Sequence, residues 1–129
     1  MKTFLPFFAA LIICTAPAIA NSDNQHASLE SGKNAPTYLM IKFSVSEGRL
    51  PDFLSIMTDI NTLMASEEGF ISAQVYRNAD HPLSFTLIEK WQSRTLHKKH
   101  YDAIVAAGDW ANILAMLSAE PEMSYNAQL

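Results

Sequence analysis

The sequence predicts one α+β domain, an antiparallel sheet of ferredoxin-like order with its helices on one face. Three observations predict it. Residues 69–92, GFISAQVYRNADHPLSFTLIEKWQ, hold two runs rich in β-branched and aromatic side chains around the turn formers Arg77-Asn78-Ala79-Asp80-His81-Pro82, which is the pattern of a hairpin. Residues 38–45 alternate between two faces and lead into a stretch of helical periodicity. A second helical stretch follows the hairpin and leads, past Gly108 and Pro121, to a short alternating run. The order β, α, β, β, α, α, β makes two split βαβ halves, and such halves place their helices together on one side of the sheet.

Residues 1–20 carry one early cation, Lys2, an apolar run from Phe4 to Cys14 and the small-residue end Ala18-Ile19-Ala20. That is the build of a signal peptide cleaved after Ala20, and it places the mature protein in the periplasm or outside the cell. The apolar run is too short for a membrane span, which needs about 20 residues, and Ile13 before Cys14 argues against a lipid anchor; no stable membrane insertion is expected. Cleavage leaves 109 residues, no cysteine, and eight cations against thirteen acids, a formal charge of −5. One domain is expected from that length. Nucleic acid is not an expected partner, because the only basic pair is Lys98-Lys99. Residues 21–36 (NSDNQHASLESGKNAP) are polar and aperiodic, a flexible leader in which His26 is solvated. The domain proper is residues 37–129.

Within it, Leu39, Ile41, Phe43 and Val45 form one face of the first strand and Tyr38, Met40, Lys42 and Ser44 the other. After Glu47-Gly48, Pro51 suits the first turn of a helix running to about Ser66, with Leu50, Phe53, Leu54, Met57, Ile60, Leu63 and Met64 as its apolar side. Gly69 turns the chain into the hairpin, whose first strand divides Ile71, Ala73 and Val75 from Phe70, Ser72, Gln74 and Tyr76. Ser93 caps a helix over residues 94–107, and Asp109 caps a short one with Trp110, Ile113, Leu114 and Leu117 inward. Residues 122–126 are the last strand. Apolar groups on both sheet faces, including Tyr38, Met40, Phe70 and Tyr76 on the side away from the helices, call for a second subunit as cover.

The hairpin region also holds Glu68-Gly69-Phe70, Val75-Tyr76-Arg77-Asn78, Phe85-Thr86-Leu87-Ile88-Glu89-Lys90-Trp91 and, nine residues after the Trp, His100. The most specific part is the E-x-W-x-S run of Glu89, Trp91 and Ser93. Over residues 38–125 the chain resembles the antibiotic biosynthesis monooxygenase (ABM) domain family. The resemblance implies a dimeric α+β barrel and hence a homodimer. It implies one of several activities, since that family spans cofactor-free quinol or polyphenol monooxygenases, haem-degrading enzymes and members of no known activity. Haem-degrading members use a strand-one Asn with a Trp and a His on helices. Here the first strand has no Asn, His100 stands where that Trp would be and Trp110 where the His would be, so haem degradation ranks third.

The candidate chemistry centres on His100, on a stripe with Leu96, Ala103 and Ala107 that faces the sheet. A neutral imidazole there can take a proton from a phenol or quinol; the plainer reading is a core histidine bonded to Glu89 or a carbonyl. Glu89 shares a strand face with Phe85, Leu87 and Trp91, so its carboxylate needs a partner. It either orients His100 or binds a substrate hydroxyl, or it pairs with Arg77, Lys42 or a dimer mate. Trp91, Tyr76 and Tyr101 offer stacking surfaces for a flat substrate or serve as packing anchors. Arg77 either stabilises an enolate or phenolate or pairs on the surface beside Asp80. His97 and His100 alone do not make a metal site, and no Gly-rich loop cradles a nucleotide or flavin. With these residues, the resemblance implies an exported, cofactor-free and metal-free monooxygenase of a quinol or polyphenol-type aromatic, with a non-catalytic module for a small hydrophobic ligand as the alternative.

Overall fold

The computed structural model describes residues 34–129; the predicted signal peptide, residues 1–20, most of the leader and His26 lie outside them. Strands β1 (Thr37–Ser44), β2 (Phe70–Arg77), β3 (Ser84–Trp91) and β4 (Glu122–Asn126) form one antiparallel sheet in the order β2-β3-β1-β4. Helices α1 (Leu50–Thr58), α2 (Ile60–Met64), α3 (Arg94–Ala107) and α4 (Asp109–Leu114) belong to the connections, as the ferredoxin-like order requires. The two central strands alternate strictly, and their inward residues, Leu39, Ile41, Phe43, Phe85, Leu87, Glu89 and Trp91, are all buried. Phe53 of α1 lies between Phe43 and Phe85, ring centroids 5.3 and 5.0 Å away, and so fixes α1 over the sheet.

The first helix and β2 depart from the sequence expectation. The first helix is not continuous to Ser66 but breaks at Asp59 (φ −100°, ψ 6°). The Thr58 hydroxyl donates to the Leu54 carbonyl 2.8 Å away, a competition with the helical ladder that bends helices. The break lets Asn61 reach β2, where its amide donates to the Ala73 carbonyl at 2.7 Å and accepts from the Ala73 N–H at 2.9 Å. In β2 itself a register shift between Phe70 and Ser72 makes Ile71 the extra residue. Phe70 therefore packs towards the helices, 5.5 Å from the Trp91 ring, and Ile71 is the residue left exposed. A bulge reverses the parity of what precedes it, so Phe70 leaves the outward set while Tyr38, Met40 and Tyr76 remain in it.

The inward stripe of α3 is also rotated from the predicted one: His97 is buried, His100, Tyr101 and Ile104 are half-buried, and Ala103 and Ala107 are exposed. Alanine satisfies a solvent-facing helix position as well as a buried one, so the two alanines gave no true phase. Ser93 caps α3, accepting from the Leu96 N–H at 3.2 Å. In α4 the cap position is Gly108 (φ 87°) with Asp109 in the first turn; Leu114 is exposed, and Met116 beyond the helix is buried instead.

Gly69 joins α2 to β2 at φ 83°, and a Cβ placed on it would lie 2.5 Å from one Leu96 side-chain carbon and 2.7 Å from another. Gly69→Ala is expected to cost about 2 kcal/mol, from left-handed strain plus displacement of Leu96. Gly108 has the same kind of φ but open space around it, so Gly108→Ala is expected to cost about 1 kcal/mol. Urea melts of both variants measure the difference, and equal costs would remove the Leu96 contact as a cause.

Candidate active site

A cavity of about 450 Å³ lies between the inward face of β1 and β3 and helices α1 to α4. Its walls are largely aliphatic, from Leu39, Ile41, Leu87, Ile104 and Ile113, with Tyr101 and Trp110 as its aromatic side. The rings of these last two meet edge to face, centroids 5.6 Å apart. Polar groups enter it at few points, which is the usual composition of a small-molecule site.

The E-x-W spacing has a direct physical meaning in β3. Residues two apart on a strand share a face, so the Trp91 indole N–H donates to Glu89 Oε2 at 2.8 Å and gives the buried carboxyl its hydrogen bond. Burial raises the Glu89 pKa, against the lowering effects of the Trp91 bond and of His100. His97, from the first turns of α3, approaches the same oxygen with Nε2 at 3.9 Å, beyond hydrogen-bond range. Its Nδ1 lies 2.6 Å from the Tyr125 hydroxyl, which β4 supplies because Tyr125 is paired with Leu39. Burial holds Tyr125 above its ordinary pKa, against the lowering effect of the Arg94 guanidinium 4.1 Å over its ring. The phenol therefore keeps its proton, and the direction of its hydrogen bond with His97 follows the tautomer of the imidazole.

Burial first, then the positive charges of His100 and Arg94, lowers the His97 pKa from 6.5 to about 4. In the unfolded chain this histidine takes up a proton as pH falls below 6.5 and in the folded chain only near 4. Its contribution to stability is therefore complete above pH 6.5 and is lost progressively as pH falls towards 4, by about 3 kcal/mol in total. The raised Glu89 pKa acts in the opposite sense, because the folded state then holds a proton the unfolded state releases. Denaturant melts from pH 7 to 4 are expected to fall less steeply for His97→Gln than for wild type; parallel curves would show that His97 does not titrate in this way.

His100, on the next turn, lines the cavity with only 10% of its side chain exposed. Its ring lies 5.1 Å from Trp91. Nδ1 stands 3.1 Å from Glu67 Oε2, an ion-pair distance without the alignment of a hydrogen bond, so this buried nitrogen has no hydrogen-bond partner. The neighbouring Lys99–Glu68 ion pair ties the turn that bears Glu67 to α3.

Of the residues proposed from sequence, the cavity thus brings together His100, Glu89 and Tyr101. Trp91 is fully buried beneath them, covered by Phe70, His97 and His100, and does not line the cavity. Tyr76 is 53% exposed on the opposite sheet face, its hydroxyl donating to Gln74. Arg77 sits at the hairpin end, with Nε donating to the Pro82 carbonyl at 2.6 Å and its guanidinium 5.5 Å from the Phe85 ring. The partners expected for Glu89 are replaced: Lys42 pairs with Glu122 at 3.5 Å, and Trp91 and His97 stand at the carboxylate. Sequence reasoning missed Glu67, His97 and Tyr125 as parts of the site. The signal that could have found His97 is Ile104, which stands seven residues after His97 and three after Tyr101 and so shares a helix face with both. Among the described residues no cluster of three or more His, Cys, Asp or Glu is placed to hold a metal ion, and no helix is long and apolar enough to cross a membrane.

Residues 36–103 match the family model described as antibiotic biosynthesis monooxygenase. No curated protein matches the sequence. The fold is similar to a conserved protein from Methanosarcina mazei Go1 (TM-score 0.65, 17% identity, covering 78% of this chain and 99% of that one). It is similar to Rv0793 from Mycobacterium tuberculosis (TM-score 0.64, 19% identity, 74% and 96%). It is also similar to SnoaB, a cofactor-independent oxygenase from Streptomyces nogalater (TM-score 0.62, 15% identity, 72% and 92%). At these identities the structures share the fold.

Proposed function

The chain belongs to the antibiotic biosynthesis monooxygenase family, and from that membership we propose that it is a cofactor-free monooxygenase of a quinol or polyphenol-type aromatic, exported and working as a homodimer. One observation carries the reading: a nearly buried histidine, His100, lines an aliphatic and aromatic cavity with a carboxylate 3.1 Å from its Nδ1. The likeness in fold to SnoaB, itself a cofactor-independent oxygenase, supports it.

In this reading His100 takes the proton of a phenolic hydroxyl, and Glu67 steadies the imidazolium that forms. The substrate anion passes an electron to O2, and the resulting radical pair combines on the ring. One oxygen atom stays on the product, the other leaves as water, and the substrate supplies the electrons. The chain contributes the base, exclusion of water by the aliphatic walls, and a fixed pose against Tyr101 and Trp110. Glu89, held by Trp91, offers an acceptor or, protonated, a donor to a second hydroxyl.

The cavity holds neither Arg77 nor any other Lys or Arg to stabilise the anion. That favours the second reading, a module that binds a small hydrophobic ligand without turning it over. Oxygen uptake by the purified protein with reduced menadione-like quinols separates the two. Uptake above a no-protein control supports the monooxygenase; none across a quinol panel moves the assignment to the binding module.

The homodimer rests on the sheet face away from the helices, where Tyr38, Met40 and Ile88 are only half-buried and Tyr76 is exposed. Light scattering at micromolar concentration is expected to give twice the chain mass. A monomer mass would count against the dimer. For export, intact mass of the protein from a cell-envelope extract is expected to show an N-terminus at Asn21, and a full-length chain in the cytosol would defeat it.

A further inference from the structure

The charged side chains that line the cavity are acidic: Glu67 and Asp109 stand with Glu89 on its walls, and no Lys or Arg does. Tyr101 and Trp110, edge to face at 5.6 Å, lie on the same lining as Asp109. Aromatic faces and carboxylates are both complementary to an ammonium group, the rings through their quadrupoles and the acids through charge. A further observation points to an occupant. His100 is nine-tenths buried on this lining, and its Nδ1 lacks a hydrogen-bond partner although a carboxylate oxygen is 3.1 Å away. Such orphaned buried nitrogens are uncommon unless something else completes them.

We propose that the cavity selects a flat hydrophobic molecule bearing a protonated amine and rejects its carboxylated or sulfonated counterparts. An acid entering the cavity would meet Glu67 and Asp109 with no Lys or Arg to offset them and with His100 already beside Glu67, so its desolvation would be poorly compensated. An amine loses its water too but gains these carboxylates and the Tyr101 and Trp110 rings, while its apolar body replaces water on the aliphatic walls. The selection deepens the monooxygenase reading by naming a substrate class, an aromatic that carries an amine besides its hydroxyls, and it rests on that reading for the claim of turnover.

The test is binding, without turnover. Calorimetric titration compares three probes on one ring system: 1-naphthylmethylamine as cation, 1-naphthalenemethanol as neutral form and 1-naphthoate as anion. At low ionic strength the amine is expected to bind about tenfold or more tighter than the naphthoate, with the alcohol between them and the gap narrowing as salt is raised. In the Glu67→Gln/Asp109→Asn double variant, checked for folding by thermal melt, the gap is expected to close. Naphthoate binding as tightly as the amine, no binding by any of the three, or a gap that persists in a folded double variant would overturn the proposal. The wild-type comparison decides the matter even if the double variant does not fold. Oxygen uptake plays no part in the measurement, so the monooxygenase reading can fail while this preference stands, and the reverse.

Discussion

His100→Ala is expected to lower oxygen uptake with quinol substrates by about 10²–10⁴-fold, the usual contribution of a positioned general base. The same change is expected to cost only about 1 kcal/mol of stability, because the carboxylate it leaves behind is solvated. Glu67, 3.1 Å from Nδ1, has 41% of its side chain exposed, whereas a fully buried acid deprived of its partner costs about 3 kcal/mol or more. A double-mutant cycle by urea melts assigns the partner. Coupling is expected between His100→Ala and Glu67→Gln and to be weak between His100→Ala and Glu89→Gln, since Glu89 is held by Trp91 at 2.8 Å. Unchanged oxygen uptake in a folded His100→Ala protein would remove this histidine from the chemistry. Strong coupling to Glu89 would return it to a structural role.

Trp91→Ala is expected to cost about 3–5 kcal/mol, the largest loss of stability among single changes near the site. Trp91 is fully buried, with Phe70, His97 and His100 against it at centroid distances of 5.5, 5.3 and 5.1 Å. Its removal opens a cavity that these rings cannot fill without leaving β2 and α3, and it strips Glu89 of its donor. Trp91→Phe separates the two contributions: it retains most of the volume and loses only the N–H, for an expected cost of about 1–3 kcal/mol. Chemical denaturation of both variants reads the difference. If the phenylalanine variant is as unstable as the alanine one, the hydrogen bond to Glu89 outweighs the packing; if both are near wild type, Trp91 is not the keystone of this layer.

The central strands were legible because both of their faces follow a period of two without interruption, so Leu39 to Val45 and Phe85 to Trp91 announce which side is buried. The ferredoxin-like class followed from element order alone. Ile71 was not legible: a one-residue bulge leaves no mark in composition, yet it moves Phe70 to the other face. The phase of α3 was obscured by Ala103 and Ala107, which fit either environment, and with it went His97. Tyr125 and Glu67 are beyond local reading altogether. One reaches the site through the pairing of β4 with β1, the other through the turn closed on α3 by Glu68 and Lys99. A site drawn from five separate segments shows in a sequence only the members that share an element, here Glu89 with Trp91 and His100 with Tyr101.

The Asn61 side chain bears on the outer edge of the sheet. An outermost strand with free N–H and C=O groups is a template on which another polypeptide can add itself. At the centre of β2 both groups of Ala73 are already engaged by one amide. The sheet therefore carries a built-in stop on one flank, set by the break at Asp59 that brings Asn61 into place. Five-residue β4 forms the other edge of the sheet, and there the Asn126 side chain donates to the Ser124 carbonyl at 3.2 Å. At Ala73 of β2 an added strand would find no free backbone pair to bond to.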